Sequence, residues 1–155
     1  MERLRYDDDT AFTLADDAST IARITRTADA ARLRALKFGE WTALEVIGHV
    51  ADMGEIFAER VRRMVEEERP TLQSADQDAI HAERRNNDRD PMTLSKRIQT
   101  AHGQIIGLLA TAANRARPGL HGEWGEIDAA HVAAYQARHA HEHVTELAEA
   151  FPPSR

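Results

Sequence analysis

The stretch from Trp41 to Arg69 limits this chain most. Within it Val46, His49, Val50, Met53, Phe57, Val61, Met64 and Val65 return at helical spacing, which lays one mostly apolar stripe along a single long helix. Thr42 and Glu45 stand at its start with the separation of a capping box, each side chain able to satisfy a backbone donor at the other's position. Pro70 stops it. Glu59, Arg60, Arg62, Arg63, Glu66 and Glu67 fall on the other side and read as a solvated face of mixed charge.

The rest of the chain repeats this theme. Residues 1 to 9 form a lead-in, with Asp9 or Thr10 as a cap. Leu14, Ala18, Ile21, Ala22, Ile24, Ala28 and Ala31 then mark a helix from Thr13 to Leu36, broken near Asp29 and closed before Gly39. Pro70 to Asp90 is a long connection with a short helix around Asp76 to Arg85. Asp90-Pro91 opens another long helix, as aspartate suits the cap and proline the first helical position. Its buried side runs through Leu94, Ile98, Ala101, Ile105, Leu108, Leu109 and Ala112 to Ala116, and Arg117-Pro118-Gly119 closes it. Leu120 to Ile127 reads as a turn whose Trp124 packs on the bundle end. Asp128 caps a last helix to Ala150. Alternation of apolar and polar residues never persists, so no strand is expected. The expected fold is all-α: a four-helix bundle with a long crossover connection and a short extra helix, one domain over residues 1–155.

Composition removes several function classes. The formal charge of -6, with both signs interspersed, is unlike the clustered basic face of a nucleic-acid binder. With no cysteine, the chain has no disulfide, thiolate ligand or cysteine nucleophile of its own. No segment approaches the roughly 18 uninterrupted apolar residues of a membrane span, and the charged N-terminus does not resemble a signal peptide. The expectation is a cytoplasmic protein that engages neither membrane nor nucleic acid.

Chemistry resides in the histidines. In Tyr135-Gln136-Ala137-Arg138-His139-Ala140-His141-Glu142-His143-Val144, a helix places His139 and His143 on one face, the spacing two imidazoles need to share a metal ion. Val132, Tyr135, Gln136, Leu147 and Ala150 continue that face, so it points inward, and His141 points away. His49 lies on the inward stripe of the Trp41–Arg69 helix. A lone inward histidine is more often satisfied by one neighbour, but three in a small core favour a shared ligand. His102, aligned with Ile98, Ile105 and Leu109, is a candidate fourth ligand or supporting group. Asp52 and Glu142 are candidates to orient an imidazole. His81, His121 and His131 are expected to be exposed.

The segment Trp41-Thr42-Ala43-Leu44-Glu45-Val46-Ile47-Gly48-His49-Val50-Ala51-Asp52, followed ninety positions after His49 by His139-x-x-x-His143, resembles the DinB/YfiT-like family of metal-binding four-helix bundles. The resemblance covers roughly Trp41 to Leu147. It implies that His49, His139 and His143 hold a divalent transition metal, zinc or nickel first and iron next. It also implies a low-molecular-weight thiol cosubstrate of the bacillithiol or mycothiol type, an electrophilic partner for that thiol, and a homodimer. The leading expectation is a metal-dependent thiol S-transferase acting in detoxification or stress response. The rivals are a metal-dependent hydrolase and a noncatalytic metal- or ligand-binding stress protein. Val144-Thr145-Glu146 departs from the family pattern, which places glutamine after the second histidine of the pair.

Overall fold

The computed structural model describes residues 2–154. Helix α1, Asp8–Thr27, starts slightly earlier than expected, because Asp7 rather than Asp9 or Thr10 is the cap and forms a reciprocal box with Thr10. The break near Asp29 is present: α1 ends, and Asp29 caps the short α2, Ala30–Leu33. Strands β1, Lys37–Phe38, and β2, Trp41–Thr42, pair antiparallel around Gly39, whose φ of +66° favours a residue without Cβ. Helix α3, Ala43–Glu66, begins on the Thr42/Glu45 box. It stops three residues before Arg69, where the chain turns into β3, Thr71–Leu72.

Helix α4, Gln77–Arg84, is capped by Asp76, and a 3₁₀ turn follows at Asn86–Asp88. Helix α5, Pro91–Leu108, has Asp90 at its cap and proline in its first turn. It ends earlier than Ala116, because Thr111 caps a separate short helix α6, Ala112–Arg115. The segment Leu120 to Ile127 is not a simple turn. It belongs to a hairpin of β4, Pro118–His121, and β5, Gly125–Asp128, with β3 added in parallel beside β4. The expectation of no strands is therefore corrected. Elements of two to four residues are too short to show alternation, and β3 meets its partner across about fifty positions of chain. Gly119 lets β4 settle on α3, since a Cβ there would lie 2.9 Å from the Met64 methyl. Asp128 then caps α7, Ala129–Ala150.

The bundle is formed by α1, α3, α5 and α7. Helices α1 and α3 each pack against both α5 and α7, so the first two long helices lie across a diagonal. Asp52 meets Arg97 and Gly54 meets Ala101, which makes α3 and α5 parallel neighbours. A parallel neighbour requires the chain to return the length of α3, roughly 36 Å for its 24 residues. The connection does so in steps: Gln73 meets Arg60, His81 meets Glu45, and Asn86 meets Gly48. Helix α7 runs antiparallel to α3, with His139 opposite His49 and Gln136 opposite Gly54.

The apolar core has two parts. One contains Met53, Phe57, Ile105 and Val132; the other contains Val46, Ile47, Ile98 and Val144. Between them lies a buried polar layer of His102 and Gln136. Among the described residues, no helix is long and apolar enough to cross a membrane.

Candidate metal centre

His49 sits two turns into α3 and is 4 % exposed. His139 and His143, one turn apart on α7, are partly buried opposite it. The Nε2 atoms of His49 and His139 are 3.2 Å apart, as are those of His139 and His143. One ring nitrogen from each of the three lies within 4.8 Å of the others. A tetrahedral cation with nitrogen ligands at about 2.0–2.1 Å would separate them by about 3.3 Å; the His49–His139 and His139–His143 pairs already stand at that spacing, and the third pair lies within 4.8 Å.

Hydrogen bonding alone satisfies this arrangement poorly. His139 Nε2 carries either one proton or one lone pair, so it cannot make full bonds to both neighbouring Nε2 atoms. Burial, aided by the charges of the other two histidines, lowers His49 to a pKa of about 3. Burial, with His143, lowers His139 to about 4. Burial also lowers His143 against the opposing charges of Glu146 and Glu142. All three rings are therefore neutral at pH 7 and offer lone pairs rather than positive charge.

Aromatic contacts fix the rings. Trp41 meets His49 edge-on with centroids 4.9 Å apart, and Tyr135 stacks on His139 at 6.4 Å. The other face of this small cluster is His81, stacked on Trp41 at 4.0 Å with its Nε2 3.0 Å from Glu45. Glu45 thus serves twice, as the α3 capping partner and as the anchor of His81.

The other candidates go elsewhere. Asp52 does not orient an imidazole: its carboxylate meets Arg97 at 2.7 Å, accepts from Asn86 Nδ2 at 3.0 Å, and lies 3.6 Å from Arg84. Fully buried Asn86 was not legible as an anchor, and it fits only because position 48 is glycine, where a Cβ would fall 2.2 Å from its Cγ. Glu142 acts on His143 through charge. His102 is not in the cluster; its Nδ1 is 2.8 Å from the Leu14 carbonyl and its Nε2 3.2 Å from the Gln136 amide nitrogen. His141 is exposed as expected, and pairs with Asp17.

Three exposure expectations fail together. His121 and His131 are buried, and His81 is partly buried. The β4–β5 hairpin inserts Trp124 between the first two, with ring centroids 4.4 Å from His121 and 5.2 Å from His131. The N-terminal lead-in covers His131 as well, Leu4 N–H donating to its Nδ1 at 3.0 Å. Arg60 is likewise buried rather than solvated, because the chain after β3 folds over it and Gln73 accepts its N–H. A helical wheel cannot show these coverings, since they come from short segments outside the helix or strand that carries the covered residue.

Taken together, these features define a class: a helical bundle that gathers three neutral imidazoles from two antiparallel helices at one point. The chain belongs to the DinB superfamily, whose family model matches residues 14–147. Among solved structures it is similar to YfiT from Bacillus subtilis, described as a probable metal-dependent hydrolase with an unusual four-helix bundle topology. That match has 22 % identity and a TM-score of 0.79, covering 95 % of this chain and 88 % of YfiT. It is also similar to a mycothiol-dependent maleylpyruvate isomerase, at 13 % identity and a TM-score of 0.70, covering 90 % of this chain and 60 % of the isomerase. No curated protein sequence matches the chain.

Proposed function

We propose that this protein is a metal-dependent enzyme in which His49, His139 and His143 hold one divalent transition metal, zinc or nickel before iron, and in which a low-molecular-weight thiol attacks an electrophile. The observation that carries the reading is the clustering of three imidazoles, with His139 Nε2 at 3.2 Å from both His49 Nε2 and His143 Nε2 and all three donors within 4.8 Å. A cation bound there would keep positions free and lower the pKa of a thiol or water at neutral pH. The protein's part is to hold three lone pairs ready in a low-dielectric recess, with Trp41 and Tyr135 fixing the ring planes. Because the chain has no cysteine, the sulfur must arrive with a cosubstrate. The likeness to a mycothiol-dependent isomerase is consistent with that.

Hydrolysis, with water in place of the thiol, is the second reading, and the likeness to YfiT favours it. Conjugation of a model electrophile such as 1-chloro-2,4-dinitrobenzene by zinc- or nickel-loaded protein separates the two. Turnover that requires added thiol supports transfer, ester or amide cleavage without thiol supports hydrolysis, and neither activity leaves a binding protein. The setting we infer is cytoplasmic detoxification or stress response by a homodimer that binds neither nucleic acid nor membrane. Light scattering that gives a monomer overturns the dimer.

A further inference from the structure

One buried arginine has no counter-charge among the described residues. Arg60 is 8 % exposed, yet among the described residues it makes no ion pair, and its one hydrogen bond runs from Nη2 to the Gln73 carbonyl. Its guanidinium lies over the Phe57 ring, 4.9 Å from the centroid. A buried guanidinium without a carboxylate is costly, several kcal/mol per ion in real proteins, and a fold has little reason to keep one solely for a single carbonyl. Its other nitrogens are not sealed, since none belongs to the fully buried polar atoms that lack a partner.

Arg60 lines a cavity of about 140 Å³. Phe57, Arg60, Ser74, Gln77, Trp124 and Tyr135 line it, so one cationic fork stands among aromatic walls with a hydroxyl and an amide at the rim. The volume is close to that of the roughly 150 Å³ apolar cavity that admits benzene. Arg60 also lines a neighbouring open groove of about 760 Å³ between α3 and the β3–α4 connection, which gives access from solvent. On the far wall Tyr135 is stacked on His139, so the cavity is one side chain from the imidazole cluster. Along α3, Arg60 lies eleven residues beyond His49, roughly 16 Å of axial rise.

We propose that this cavity is a carboxylate-binding subsite in which the Arg60 guanidinium receives the anionic end of a small organic molecule, flanked by Trp124 and Tyr135, with the molecule's other end directed past Tyr135 toward His139. The first part stands on Arg60 and its cavity alone; the direction of the far end rests on the function proposed above. A planar carboxylate matches the paired N–H groups of arginine, which an ammonium cannot imitate. Asp52, Glu55, Glu59 and Asp76 line the access groove, and Glu123, an exposed carboxylate beside His121, lines the cavity itself. Glu123 weakens an incoming anion by repulsion but does not neutralise Arg60. Burial lowers the Arg60 pKa.

The test uses the full-length, EDTA-treated protein, so that failure of the metal reading cannot masquerade as failure of the subsite. Benzoate and its neutral isostere benzamide are titrated while the assigned indole N–H resonances of Trp124 and Trp41 are followed by NMR. Saturable movement of the Trp124 signal with benzoate, at least tenfold weaker with benzamide, supports the subsite. Arg60→Gln should weaken benzoate at least tenfold, Arg60→Lys should weaken it less, and Glu123→Gln should tighten it severalfold. If Arg60→Gln does not fold, the benzoate–benzamide contrast and the Glu123→Gln response decide. Equal response to the two ligands, no movement of Trp124, or full affinity in folded Arg60→Gln overturns the proposal. In catalytic assays Arg60→Gln should raise KM for carboxylate substrates far more than for their amides; an equal effect on both would remove the link to the imidazole cluster.

Discussion

In the metal-free protein, His49 and His139 tie folding to pH. Their folded pKa values, about 3 and about 4, lie below the ordinary 6.5. Above pH 6.5 both rings are neutral whether the chain is folded or not, and they add no pH dependence. Below 6.5 the unfolded chain takes up protons that the folded site refuses, so stability falls with pH until the folded values are reached. Between pH 7.5 and pH 5 each imidazole should cost about 2 kcal/mol, a large share of the roughly 5–15 kcal/mol that holds a domain of ordinary size together. Burial lowers His102, His121 and His131 in the same direction, whereas Asp17, raised by burial, opposes them as pH falls. The site's share is therefore read as a difference: urea unfolding in EDTA at the two pH values, for wild type and for His49→Gln and His139→Gln. Each variant should lose about 2 kcal/mol of the wild-type pH dependence. A cation at a hundred times its Kd should restore about 2.7 kcal/mol to wild type. Identical pH dependence in all three proteins would refute the burial and clustering argued here.

Replacing His139 or His143 with alanine should abolish stoichiometric metal, measured by atomic emission after purification, while far-UV circular dichroism stays largely unchanged; full metal content in either variant would end the ligand assignment. His141→Ala should keep its metal, since that ring is turned to solvent and Asp17. His102→Leu should cost about 1–3 kcal/mol for each partner left unsatisfied at Leu14 and Gln136, yet leave metal stoichiometry intact, and metal loss there would return His102 to the ligand set. Gly48→Ala should destabilise by about 1–3 kcal/mol through overpacking against Asn86. A thermal melt indistinguishable from wild type would mean that the connection can shift freely from α3.

The bundle was readable because its causes are local and periodic. The Thr42/Glu45 box, the Asp90-Pro91 start and the Asp128 cap are all where the sequence put them. The inward stripe that carries His49 and the i, i+4 pair on α7 needed only the helical repeat. The failures cluster instead around the β3–β4–β5 sheet and the N-terminal lead-in. The periodicity puts Arg60 in solvent with its charged neighbours, and His121 in a loop and His131 at a helix start read as exposed. In each case a neighbour outside the residue's own helix or strand supplies the cover: Gln73 over Arg60, Trp124 over His121 and Leu4 over His131.

By itself the sequence determined the four long helices, the caps of the last three, most of the residues that face inward and the candidacy of three imidazoles, because a periodic stripe of apolar residues has one low-energy partner, another such stripe. Only the tertiary structure decided that the three imidazoles cluster, that Asp52 serves Arg97 and Asn86 rather than an imidazole, and that Arg60 lines a cavity. Those outcomes depend on which helices become neighbours and on what the long connection covers as it returns. Contacts of that kind are set by packing across the whole chain, where spacing along the sequence carries no information about distance in space.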